Sequence, residues 1–251
     1  MTGQREHQRG FTLTEIIVTI AIVATLASIA VGLSAGARKV AHNATCTSNL
    51  RQLGIAVRLY LNDHDNTFPP YVQYNEKGTV WYFGLEGGSG GAEGERDLNR
   101  EAGPLFPYIQ QVGSIEVCPS FDYENALYKP KFKGASWGYG YNWKLGGGWS
   151  GRNPMRIDQL SSQSKVIVFG DCAQANTFQA PASPDNPMLE EFYILNESFK
   201  TVHFRHNHRA NFLFADGHVE AHGMHEGTRD DNLKSESLGR ITPVGSTKYL
   251  E

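Results

Sequence analysis

The 251-residue sequence predicts an α+β fold, with one long N-terminal helix packed on an antiparallel β-sheet domain. Three observations carry this prediction. An uncharged apolar run near the start merges without a break into an amphipathic stretch of helical period. The remainder has the composition of short strands and turns rather than disorder, since the chain holds 27 glycines and 11% aromatic residues. Toward the end, "ANFLFADGHVEAH" sets Asp216-Gly217, a favoured pair for a two-residue hairpin turn, between two strand-like runs.

The helix comes first. Ile16 to Ala37 is a run of 22 residues without a charge. At about 1.5 Å per residue it is long enough to cross a ~30 Å hydrocarbon core. A secretory signal is shorter and is followed by a cleavage site and unrelated sequence. Here the chain continues as "GARKVAHNATCTSNLRQLGIAVRLYLNDHDN". Val40, Ala44, Thr47, Leu50, Gly54, Val57 and Leu61 recur at steps of three and four, and Leu53 and Tyr60 widen the stripe. No proline precedes Pro69. One helix from about Phe11 to about Asn62, on the order of 75 Å long, is the simplest reading. Residues 11–37 form its membrane or bundle half and 38–62 its amphipathic half. The polar leader, residues 1–10, carries Arg5 and Arg9, which keeps that end cytoplasmic and places the soluble domain across the membrane. Glu15 stands out, because a carboxylate at membrane depth is costly and calls for a partner.

The soluble domain is read as residues 63–225, followed by a polar tail, 226–251. "NDHDNTFPPY" ends the helix. Asp63, Asp65 and Asn66 imitate part of a calcium loop but lack its glycine and distal glutamate, so a helix-terminal turn is preferred. Val80 to Phe83, Ile115 to Val117, Trp137 to Trp143 and Lys165 to Phe169 are strand candidates. The glycine-rich "GGSGGAEGE" lacks the GK[ST] of a phosphate loop. With Asp216-Gly217 as the turn, Phe214 pairs with Val219 and Phe212 with Ala221, and this apolar face packs on the amphipathic half of the helix.

A net charge of −3 without a basic patch excludes nucleic acid as a partner. Cys46, Cys118 and Cys172 are too few for a disulfide framework and fit no zinc spacing. One pair can bridge in an oxidising compartment, with all three pairings open, or the three thiols can be separately buried. Six of the nine histidines lie between His203 and His225. Asp171, His206, His208 and Asp216 are the candidate ligands of a structural cation, calcium or zinc, because His206 and His208 would share one strand face. A hydrogen-bonding role for His206 is the stronger reading, and no other cofactor is implied. Trp137, Trp143 and Trp149 suit either a glycan platform or the core. No nucleophile elbow, catalytic Cys/His signature or nucleotide loop is present, so no catalytic residue and no enzyme is expected.

"RG" followed by "FTLTEIIVTIAIVATLASIA" resembles the class III leader of type IV prepilins and type II secretion pseudopilins. The resemblance implies cleavage by prepilin peptidase after Gly10, N-methylation of Phe11, and a Glu at the fifth mature position, Glu15. It implies a filament in which Glu15 pairs with the freed Phe11 ammonium of a neighbour, so that the cost of an unpaired carboxylate selects the stagger. The partners implied are other copies of the chain, the peptidase, other pilin-like subunits, the inner-membrane assembly platform and membrane lipid. The location implied is the bacterial inner membrane, single-pass, with the globular domain extracytoplasmic in a pseudopilus or at the cell surface. His206, nine residues, then Asp216-Gly217 resembles the H-x9-DG segment of many prepilin-like proteins, as do "CTSNLRQLGIAVRLYLNDHDNTFPP", "VCPS", "YGYNWKLGG" and "VIVFGD". The competing reading is a monomeric, membrane-anchored binding domain for metal or glycan.

Overall fold

The computed structural model describes residues 11–87, 94–109, 115–133, 137–148 and 152–250, except the side chains of 30–35. The leader with Gly10, most of the glycine-rich loop and Trp149 lie outside them. The chain divides into two compact units, Met1–Ala41 and His42–Glu251. The helix α1, Leu13–Asp63, contributes to both.

In the first unit the described side chains of α1 are exposed, and from Ile16 to Ile29 they carry no charge. Within the second unit it buries Cys46, Leu50, Leu53, Val57, Tyr60 and Leu61. The predicted stripe therefore holds from Leu50 onward, whereas Val40 is 71% exposed and Cys46 opens the buried row. Asp65 (φ 50°) and Asn66 (φ 59°) stop the helix in the left-handed region, and Asn66 N donates to Leu61 O at 2.8 Å. The Asx cluster is a helix end, as its missing glutamate implied.

The remaining elements are short strands. β1 (Val72–Asn75), β2 (Gly78–Trp81), β3 (Gly84–Gly87) and β4 (Leu98–Asn99) make an antiparallel meander in that order. β5 (Tyr139–Asn142), β6 (Ile167–Asp171), β7 (Gln174–Asn176), β8 (Met188–Glu190), β9 (Ile194–Leu195), β10 (Val202–His203), β11 (Arg209–Phe214), β12 (Val219–Gly223) and β13 (Leu238–Gly239) follow. The central sheet has the order β12-β11-β6-β5-β9. It is mixed rather than purely antiparallel, because β9 runs parallel to β5. The expected strand at Ile115 to Val117 is a turn, and Val80 to Phe83 is the end of β2 plus the following turn.

The β11–β12 hairpin forms, but in a different register. Leu213 opposes Val219, Phe212 opposes Glu220 and Asn211 opposes Ala221. Phe214 N donates to His218 O and Gly217 N to Phe214 O, both at 2.9 Å, so the loop is Ala215-Asp216-Gly217. It is a three-residue connection whose last member, Gly217, sits at φ 97°. One residue of slip turns the strand over. Leu213 and Asn211 therefore face α1, where a Cβ on Gly54 would lie 2.9 Å from Leu213 Cδ1 and Asn211 Nδ2 donates to Asn43 Oδ1 at 2.8 Å. Phe212 and Phe214 face the other way. There the His218 ring stacks on Phe214 at 4.3 Å, and Tyr249 and His222 complete the aromatic group.

Residues 226–250 do not form a separate polar tail. Leu233, Leu238 and Leu250 are buried, β13 pairs with β10, and Ile167 N donates to Tyr249 O at 2.8 Å. A Cβ at position 217 would meet nothing within 4 Å, so Gly217→Ala tests backbone strain alone. Denaturant unfolding should show a loss of about 1–2 kcal/mol without a change in slope.

Candidate functional site

Two places gather the residues singled out by sequence. The first is the start of α1. Phe11 is 84% and Leu13 78% exposed, and Ile16, Ile17, Val18, Ile20, Ile22, Val23, Leu26 and Ile29 are exposed on every side of the helix. Among the described residues no helix is long and apolar enough to cross a membrane, and this run meets residues 30–35, whose side chains lie outside them. The transmembrane expectation accordingly rests on the sequence.

Glu15 has a local partner that the sequence reading missed. Thr12 N and Thr12 Oγ1 each donate to Glu15 Oε2 at 2.8 Å, while Glu15 N donates back to Thr12 Oγ1 at 3.3 Å. This is a capping box, signalled by T-x-x-E in "FTLTE". The carboxylate, exposed in the single chain, satisfies an amide and a hydroxyl donor at the helix start.

The second place is buried in the globular unit, and four segments supply it. Cys46 from α1 is joined to Cys118 in a disulfide spanning 72 residues of sequence. His206 opens a tight turn into β11, with Asn207 (φ 50°) and His208 (φ 63°) at its corner and Arg209 N bonded to His206 O. His206 Nε2 lies 3.5 Å from Cys118 Sγ and 3.1 Å from Asp171 Oδ2. Asp171, the last residue of β6, is fully buried and also accepts from Arg205 Nη2 at 2.8 Å and Asn211 N at 2.7 Å. Arg205 further donates to Gly138 O and lies over the Phe121 ring at 5.3 Å.

The electrostatics follow from burial. Burial pushes the Asp171 carboxyl up, but Arg205, His206 and the Asn211 N–H outweigh it and hold it below the usual carboxylate range. Burial, helped by Arg205, pushes the neighbouring His203 down to about 3. Burial also pushes the free Cys172 thiol up to about 12, and this thiol donates to Ile194 O at 3.2 Å. Such a thiol is a small core side chain rather than a nucleophile.

Of the four predicted cation ligands, the structure brings together only Asp171 and His206. His208 is an exposed turn residue, not a strand neighbour of His206, because the chain reverses between them. Asp216 sits at the exposed tip of the other hairpin, where His218 Nδ1 takes its carboxylate at 2.6 Å. The donors that do converge are Cys46 Sγ, Cys118 Sγ and His206 Nε2, all within 4.8 Å of one another. Both cysteines were visible in the sequence, but nothing in their spacing could pair them. Trp137 is a core residue stacked on Phe83 at 5.2 Å, which removes it from any glycan platform.

The buried groups imply acid lability with a definite sign. His203 binds its proton in the unfolded chain below the ordinary value of 6.5 but in the folded one only near 3, so stability falls as pH drops through that window. Asp171 adds a further loss at the lower end, where its depressed carboxyl is finally protonated. Thermal unfolding of the full chain should show stability declining from pH 6.5 to 4 with a slope approaching about 1.4 kcal/mol per pH unit, and His203→Gln should flatten the upper part.

Comparison with known proteins bears on the first place. Residues 5–31 match a family model described as the prokaryotic N-terminal methylation motif, a span that holds Gly10, Phe11 and Glu15 and does not reach the H-x9-DG segment. No curated protein and no solved structure matches the chain. The chain thus carries the prokaryotic N-terminal methylation motif, the class III leader of type IV pilin-like proteins.

Proposed function

We propose that this chain is a structural subunit of a type IV pilus-like or type II secretion pseudopilus filament, cut by prepilin peptidase after Gly10, N-methylated on Phe11 and polymerised through α1. The observation that carries the reading is the methylation motif on a helix whose apolar side chains are exposed all round. Such a surface demands lipid before assembly and neighbouring helices after it, since apolar area left in water is unfavourable by about 25 cal/mol per Å². The subunit waits as a single-pass inner-membrane protein with its globular unit extracytoplasmic, and partners with the assembly platform and other pilin-like subunits. In the filament the Phe11 ammonium of one copy meets Glu15 of the next. The globular unit is a non-catalytic body on the filament surface, in whose interior Asp171, Arg205 and His206 are tied to one another.

Intact mass of the protein from its native membrane should correspond to a chain beginning at Phe11 and carrying one added methyl. A chain still beginning with Met1 overturns the reading and leaves an anchored domain. Glu15→Val should abolish incorporation into filaments while circular dichroism of the globular unit stays unchanged; normal incorporation removes the assigned role of Glu15.

A further inference from the structure

Four sequence segments that the filament reading leaves idle meet at one buried point: "TCTSN" of α1, "VCPS", "FGD" at the end of β6, and the His206 turn. We propose that Cys46, Cys118 and His206 form a redox-gated metal site, in which the reduced thiolates and the His206 imidazole hold one zinc-class divalent cation and disulfide formation expels it. The three donor atoms already lie within 4.8 Å of one another and all three residues are buried. Two sulfurs and an imidazole nitrogen are a donor set suited to tetrahedral Zn2+. Asp171 Oδ2, 3.1 Å from His206 Nε2, is the oxygen placed to complete four. Charge points the same way. Two thiolates and Asp171 against the Arg205 guanidinium would leave two negative charges in excess among buried side chains, and a divalent cation cancels them.

The exchange balances. A dithiol reductant opens the bridge by thiol–disulfide exchange: its own two sulfurs become a disulfide, and Cys46 and Cys118 each gain one electron and one proton. The cation then displaces both thiol protons, and the ring proton that His206 Nε2 directs at Asp171 moves to Nδ1, so that the Nε2 lone pair faces the metal. Oxidation runs the sequence backwards and releases the ion. The site is thus distinct from the start of α1 and does not depend on polymerisation.

The test uses the full chain in detergent carrying Cys172→Ala, so that Cys46 and Cys118 are its only thiols. Co2+ is the probe. After reduction and removal of the reductant, one Co2+ per chain should bind, with sulfur-to-cobalt absorption in the near ultraviolet and tetrahedral bands in the visible, displaced by Zn2+. The oxidised protein should bind none, and His206→Ala should weaken binding by about 10-fold or more. A reduced chain that is folded by circular dichroism yet takes up no Co2+ overturns the proposal, as does unchanged affinity in His206→Ala. If reduction melts the domain, the reduced chain is refolded with and without Zn2+. Recovery only with Zn2+ supports the site, and failure in both overturns it.

Discussion

The globular unit turns on one fully buried carboxylate. Asp171 cannot reach water, and an unpaired charge there would cost several kcal/mol. Its oxygens are instead taken by Arg205, His206 and the Asn211 amide, which come from the turn before β11 and from β11 itself. Each of these bonds offsets part of the cost of burying the charge, so the end of β6, the His206 turn and the register of β11 are held together. The β11 register in turn decides which side chains face α1. The disulfide adds a covalent tie from α1 to the same neighbourhood, through a cysteine touching His206.

Around that point the packing is aromatic. Tyr82, fully buried, shares its one hydroxyl proton between the carbonyls of Tyr139 and Tyr193 and sets its ring against Trp137, Tyr141 and Phe169. A second ionic knot lies apart from Asp171, where Glu190 takes Lys129 at 2.8 Å and Lys131 at 2.7 Å. The Lys131 ammonium also sits 4.5 Å over the Tyr193 ring. Two buried carboxylates, each with more than one cation-bearing or donor partner, give the unit specific geometry at places where apolar packing alone would tolerate slippage.

Long-period signals were legible in the sequence and local ones were less so. The helix was readable because dozens of residues repeat one pattern, and the leader because order and spacing agree at Gly10, Phe11 and Glu15. The hairpin was readable as a hairpin but not in register, since Asp-Gly serves a two-residue turn and also a three-residue loop ending in a left-handed glycine. Only the bonds of Phe214 and Gly217 choose between them. The segment after residue 225 looked polar because its buried members include Thr228, Arg240 and Thr242, whose burial depends on partners far away in sequence. The buried Cys–His–Asp group was readable only in part: Asp171 and His206 stood among the candidates, but nothing joined the Cys46–Cys118 bridge to them. Its members come from separate segments, and no spacing rule joins them.

The capping box at the head of α1 ties the Glu15 carboxylate to the first turn of its own helix. Both bonds from Thr12 land on one carboxylate oxygen, Oε2. The cleavage proposed after Gly10 would change the nitrogen of Phe11 and not that of Thr12, which leaves the donors of this clasp untouched. In the filament proposed above, the terminus of an adjacent copy would meet a carboxylate that its own helix has already oriented.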